Sequence, residues 1–205
     1  MAKRLRLPKL SQILRSQYAT LIVLGIIIFA FDFGVWFGLR VAFRTEYPLL
    51  AVASGSMVPT LNVGDMILVQ GVANASEINQ GEIIVFLKPG TTTSFHLPFT
   101  ASDETELIVH RAIKVQFNAG TWYFQTKGDN NPSADVWYGP ETLGGMLSER
   151  LLIGRVINWV PWVGHVPLFI RTPTGMFVVV LLILVIIFIE FIPIPEKKRA
   201  EEPKS

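Results

Sequence analysis

The chain has 205 residues, half of them hydrophobic and only 17% charged, with no cysteine; an ordinary soluble protein is roughly 25% charged. This composition excludes a disordered or collagen-like chain and argues against a purely soluble one, and the lack of cysteine removes disulfides, thiolate nucleophiles and Cys-ligated metals from consideration. The net charge of +2 conceals a division: residues 1–20 carry Lys3, Arg4, Arg6, Lys9 and Arg15 with no acid, whereas residues 46–170 carry 6 Lys and Arg against 11 Asp and Glu, a net of −5. Cations gathered at the ends of apolar segments suit a lipid bilayer as partner and exclude nucleic acid.

Residues 1–17 read as a basic tail. Residues 18–39 follow as 22 residues whose only charge is Asp32, about 33 Å of helix and enough to cross a bilayer. An acid inside a span costs about 2.5–3.5 kcal/mol on insertion scales, so Asp32 is expected to be protonated, paired or turned toward protein. A second span is expected over residues 174–194, where 14 uninterrupted apolar residues run from Met176 to Ile189 before Glu190. Lys197, Lys198 and Arg199 lie in the charged tail of residues 195–205. Both basic ends vote for the cytoplasm, with Arg40, Arg44 and Arg171 dissenting, and leave residues 40–173 on the outer face. Ala51-Val52-Ala53 resembles a signal-peptide cleavage site, but the apolar run is too long and ends about a dozen residues too early, so an uncleaved anchor is expected.

The outer segment reads as β-structure. Its apolar runs are Met66–Val69, Glu82–Leu87, Leu107–Val109 and Thr121–Gln125, punctuated by Gly, Pro and Asn. No run has a sustained helical period, and the polar stretch from Lys88 to Glu106 reads as a long loop. Asn74-Ala75-Ser76 is a glycosylation sequon by pattern.

Three stretches carry chemistry. The first is Ala53-Ser54-Gly55-Ser56-Met57-Val58-Pro59-Thr60-Leu61, followed by Gly64-Asp65 and an apolar run. Taken alone, Ser54-Gly55-Ser56 is a turn between strands. The second is Leu107-Ile108-Val109-His110-Arg111-Ala112, and the third is Thr126-Lys127-Gly128-Asp129-Asn130-Asn131-Pro132-Ser133-Ala134-Asp135, which by itself reads as a polar turn. His96 and His165 read as structural or surface histidines. Lys114 and Lys127 are alternative bases for a serine, if desolvated.

The Ser-Gly-Ser-Met-x-Pro-Thr-Leu string with its following Gly-Asp resembles the nucleophile box of type I signal peptidases, membrane-bound serine proteases that remove signal peptides. The resemblance extends in scattered boxes over residues 50–170, including Gly154-Arg155-Val156 and Trp159-Val160-Pro161-Trp162-Val163, with Trp159 and Trp162 read as core or as lipid contacts. It implies an all-β peptidase domain of the signal-peptidase kind, flanked by one N-terminal and one C-terminal transmembrane helix. It assigns the nucleophile to Ser56 and an oxyanion-hole hydroxyl to Ser54. His110 stands where bacterial members carry lysine; archaeal members and the catalytic subunits of the eukaryotic ER enzyme have histidine there, so the resemblance is to that group. Asp135 is implied as the acid that orients His110, with Asp129 as a supporting acid and competitor for the role.

The expected activity is therefore cleavage of membrane-held secretory precursors after Ala, Gly or Ser, with no cofactor and no metal. An extended peptide would add to a strand edge. Signal-peptide-bearing precursors and the lipid bilayer are the expected partners, together with a translocon or accessory subunits. The resemblance places the chain in an archaeal plasma membrane ahead of an ER membrane. Two other classes compete: a non-catalytic membrane-anchored β-module that binds extended peptides, and a self-cleaving regulator resembling LexA-type repressors. The Ser56, His110 and Asp135 set argues against the first, and two spans without a DNA-binding region against the second.

Overall fold

A computed structural model describes residues 17–90 and 107–190. His96, most of the loop expected at Lys88–Glu106, residues 1–16 and residues 191–205 lie outside the described residues.

The first element, α1 (Gln17–Phe43), is a helix of 27 residues. Within it Ile22–Phe43 is apolar and long enough to cross a membrane, and no residue of its most apolar stretch is buried by the rest of the described chain. The helix ends where Arg44 takes a left-handed backbone (φ 52°). There the Gly71 N–H donates to the Phe43 carbonyl at 2.8 Å. A Cβ on Gly71 would lie 2.0 Å from the Arg44 carbonyl oxygen, so only glycine lets the helix end dock this closely.

Between the helices lies one antiparallel sheet of eight strands: β1 (Leu49–Ala51), β2 (Met66–Gln70), β3 (Ile83–Leu87), β4 (Leu107–Asn118), β5 (Thr121–Lys127), β6 (Thr142–Leu143), β7 (Met146–Ser148) and β8 (Leu152–Val160). Their order across the sheet is β1-β2-β8-β3-β4-β5-β7-β6. β3 lies near the middle and is covered on both faces, which explains its unbroken apolar run. Ile83 and Val85 pack with Val52, Met57, Leu61, Ile67 and Val69 on one side. Ile84 and Phe86 pack with Ala75, Ile78, Ala112, Phe124 and Leu147 on the other. β2 instead alternates, burying Ile67 and Val69.

The four runs read as strands from sequence are strands here, and the third continues through His110 to Asn118. β8 is the main element that the runs did not announce, because Gly154, Arg155 and Asn158 interrupt its apolar pattern. Gly154 is required there, since a Cβ would lie 2.3 Å from the Gln70 carbonyl oxygen on the neighbouring strand. After β8 come a short helix, α2 (His165–Ile170), and α3 (Pro173–Glu190). The apolar part of α3, Pro173–Ile189, is shorter than that of α1. Asn74 caps a single 3-10 turn, Ala75–Glu77, its side-chain oxygen accepting from the Ser76 N–H at 2.9 Å.

Candidate active site

The turn carrying Ser56 joins β1 to β2. It is anchored from below by Met57 and Leu61, both fully buried, while the Leu61 N–H donates to the Met57 carbonyl at 2.9 Å. These anchors leave Ser56 partly exposed above the core. His110 lies on β4 opposite Ile84 of β3, and its neighbour Arg111 points to the other face by strand alternation. The third stretch leaves the end of β5, loops back, and returns through a bond from the Asp135 N–H to the Thr126 carbonyl at 2.8 Å.

This arrangement brings three distant residues into line. His110 Nε2 is 3.1 Å from Ser56 Oγ, and His110 Nδ1 is 2.6 Å from Asp135 Oδ2. The side chains of His110 and Asp135 are only 10% and 12% exposed. An ionised carboxylate only accepts hydrogen bonds, so Nδ1 carries the proton and Nε2 presents a lone pair to the hydroxyl. An imidazole held this way can take a proton from a serine and stabilise the charge it gains. Ser54 Oγ lies 3.3 Å from Ser56 Oγ on the exposed side of the turn.

Asp129, on the same loop, has other partners. Arg111 grips it with both arms of its guanidinium, Nε to Oδ1 at 2.8 Å and Nη2 to Oδ2 at 2.6 Å. The Thr60 hydroxyl donates to Oδ2 at 2.6 Å, and Arg111 Nη1 donates to the Gly81 carbonyl at 2.7 Å. The bonds from Arg111 hold the Asp129 carboxyl below the usual carboxylate range; burial opposes them, and the Thr60 bond and the neighbouring positive charge add to them. The same pairing raises the Arg111 pKa. This clamp ties the serine turn, β4 and the acid-bearing loop together. A second tie is made by main chain, with the Asn130 N–H donating to the Ser56 carbonyl at 2.8 Å. Gly128 makes that approach possible, because a Cβ there would lie 2.6 Å from the Ser56 carbonyl oxygen.

Ser56 and His110 open onto a cleft of about 410 Å³ lined also by Ala51, Val52, Ala53, Met57, Val109 and Asn131. Neither Lys114 nor Lys127 lines it. His165 is away from the cleft at the start of α2, its ring 5.6 Å from that of Trp162. No cluster that could hold a metal is found among the described residues. Sequence reasoning missed Arg111, Thr60 and Thr126, whose hydroxyl donates to Asp135 Oδ2 at 2.7 Å, although each stands inside a quoted motif; it also missed Trp137, whose indole N–H donates to Thr126 Oγ1 at 3.0 Å and which lies beyond the quoted motif.

A family model described as signal peptidase, peptidase S26 matches residues 16–114. Among curated proteins, the signal peptidase complex catalytic subunit SEC11 of Pyricularia oryzae is 32% identical over 152 residues, covering 73% of this chain and 79% of that protein. The corresponding subunit of Chaetomium globosum is 32% identical over 74% of this chain and 80% of its own. Human SEC11C is 35% identical over 64% of this chain and 62% of its own. The matched length takes in the serine turn, the histidine strand and the apolar helix, and the chain belongs to the S26 signal peptidases, serine endopeptidases that remove signal peptides.

Proposed function

We propose that the peptidase works through Ser56 as nucleophile, His110 as general base and Asp135 as the acid that orients the imidazole. The observation that carries this reading is the continuous line from Ser56 Oγ to His110 Nε2 and from His110 Nδ1 to Asp135 Oδ2. His110 Nε2 takes the Ser56 proton as Oγ attacks the scissile carbonyl carbon. The resulting oxyanion is held by the Ser54 hydroxyl and nearby main-chain donors. His110 then returns the proton to the leaving amine, the C–N bond breaks, and an ester to Ser56 remains. Water, deprotonated by His110, hydrolyses that ester and regenerates the serine. Asp129 serves as the supporting acid, holding the loop through Arg111.

The substrate is a precursor presented at the membrane surface. Ser56 follows Phe43, the end of α1, by 13 residues, a reach of at most about 45 Å. Among the described residues β1 is the first strand of the sheet and pairs with β2 alone, so its other edge, beside the cleft, is where an extended peptide would add. Small side chains before the cleaved bond, Ala, Gly or Ser, match a cleft walled by Ala51, Ala53 and Val109. Both α1 and α3 act as anchors, the latter with residues 174–194, so that residues 40–173 form the outer domain and residues 1–17 and 195–205 the cytoplasmic tails. An archaeal plasma membrane is the first assignment and the ER membrane the second. The relatives are named as catalytic subunits of a signal peptidase complex, and accessory subunits are accordingly proposed as partners here.

The test is cleavage of a signal-peptide-bearing precursor by membranes carrying the full-length chain, with sequencing of the new N-terminus. Ser56→Ala is expected to lower turnover by on the order of 10³-fold or more while leaving the thermal midpoint unchanged. Equal cleavage by both proteins would discard Ser56 as the nucleophile.

A further inference from the structure

Asp135 Oδ2 receives two hydrogen bonds, one from His110 and one from a residue with no role in the reaction described above. Thr126 Oγ1 donates to it at 2.7 Å. Thr126 is fully buried, and its carbonyl also accepts the Asp135 N–H at 2.8 Å. The acid is therefore held at main chain and side chain by one residue. Behind Thr126 stands Trp137, whose indole Nε1–H donates to Thr126 Oγ1 at 3.0 Å.

The direction of this chain of bonds is forced. An indole N–H only donates, so Thr126 Oγ1 must accept from it, and the single hydroxyl proton is left to point at Asp135. The ionised carboxylate only accepts, so His110 Nδ1 must donate. Nε2 is then left bare toward Ser56. The sheet holds the same residues in register: Thr126 of β5 pairs with Ala112 of β4, two residues from His110 and on the same face. Trp137 and His110 both meet the edge or face of buried Phe86, at ring distances of 5.6 and 6.5 Å. The Trp137 N–H is itself tied to the Gly145 carbonyl at 3.0 Å through the main chain.

We propose that Thr126 and Trp137 are positioning residues for the peptidase reaction: the Trp137 indole N–H locks the Thr126 hydroxyl, which holds Asp135 in the orientation that sets the tautomer and aim of His110. The inference rests on the assignment of Asp135 as the orienting acid. Removing the hydroxyl takes away one of the two bonds on Asp135 Oδ2, so that the carboxylate can turn from the imidazole, and leaves the indole N–H of the partly buried Trp137 without its acceptor.

The experiment measures kcat and KM for precursor cleavage by membranes carrying the full-length chain, in wild type, Thr126→Val, Thr126→Ser, Trp137→Phe, Asp135→Asn and the Asp135→Asn/Thr126→Val pair, with thermal midpoints in detergent as a check on folding. Loss of a bond to a charged group predicts that Thr126→Val lowers kcat about 10- to 100-fold with KM little changed. Thr126→Ser, which keeps the hydroxyl, recovers to within about threefold of wild type, and Trp137→Phe loses roughly three- to tenfold. On the Asp135→Asn background Thr126→Val costs less than about twofold, because the bond it removes no longer serves the imidazole. Equal effects of Thr126→Val in both backgrounds, or a Thr126→Ser protein as impaired as Thr126→Val, would overturn the proposal. So would a kcat for Thr126→Val within twofold of wild type while Asp135→Asn is inactive. Full activity of Asp135→Asn would instead remove the assignment on which the inference rests, and the inference with it.

Discussion

Asp129 and Asp135 stand six residues apart on one loop and carry the same chemical group, yet their surroundings give them different partners. Asp129 is spent: both its oxygens are held by Arg111, with Thr60 adding a third donor. Asp135 meets an imidazole and a hydroxyl. The cause lies in the alternation of β4. His110 and Arg111 are neighbours, so they face opposite sides of the strand, and the loop wraps the strand end with one acid for each side. The guanidinium of Arg111 takes one acid and the imidazole of His110 takes the other, the pairing on which the proposed roles rest.

The contrast breaks most visibly at Asp135. Asp135→Asn is expected to lower kcat by about 10³–10⁴-fold with little change in thermal midpoint, because the amide either favours the wrong tautomer or fails to aim the ring. Steady-state cleavage of a precursor checks this, and an Asp135→Asn protein that keeps its activity while Asp129→Asn loses it would exchange the two roles.

Gly128→Ala is the next largest expected change. The new methyl would meet the Ser56 carbonyl oxygen at 2.6 Å and the Asn131 amide at 2.8 Å, so the loop and the serine turn must separate. Overpacking of this kind costs about 1–3 kcal/mol, and displacing Ser56, the proposed nucleophile, by an ångström costs up to about 10²-fold in rate. Both are expected together, in thermal unfolding and in turnover.

Asp129→Asn should reverse the order of effects seen at Asp135, costing about 1–2 kcal/mol of stability and less than tenfold in kcat. Its pH dependence has a definite sign. The folded Asp129 carboxyl is held below its ordinary range, so its contribution is complete above the unfolded carboxylate pKa of about 3.9 and is lost as the pH falls through the lower folded value. The difference between wild type and Asp129→Asn is expected to be constant near neutrality and to close below about pH 4. Unfolding midpoints measured from pH 7 down to pH 3 decide it, and a gap that widens in acid would contradict the clamp.

The smallest effect is expected at Asn130. Its side chain donates to the Gly55 carbonyl at 3.2 Å in an exposed position, while its main-chain bond to Ser56 survives substitution. Asn130→Ala should cost about 0.5 kcal/mol and leave turnover within about threefold. A large loss would mean that the side chain, and not the backbone, carries the tie between loop and turn.

Much of this molecule is legible before folding. The 22 residues beginning at Tyr18 with one charge demand an apolar helix, because only such a helix satisfies its own backbone in lipid. The run at Glu82–Leu87 reads as a strand, and the resemblance of three short motifs to those of type I signal peptidases nominates Ser56, His110 and Asp135. β8 was harder to read because Gly154 and Arg155 answer to neighbouring strands: the glycine to the Gln70 backbone, the arginine to Glu82 and Gln70.

What the sequence alone determined is therefore local: apolar length, strand alternation and the kinds of residue available for chemistry. Which partner Asp129 and Asp135 each take belonged to the tertiary structure, because it depends on which side of β4 each acid reaches. The same holds for Thr126, which reaches Asp135, and for Trp137, which reaches Thr126, only after β5 pairs with β4 and the loop returns across Phe86. A hydrogen bond needs its partners placed to within a few tenths of an ångström, and that precision comes from the packed sheet and loop together.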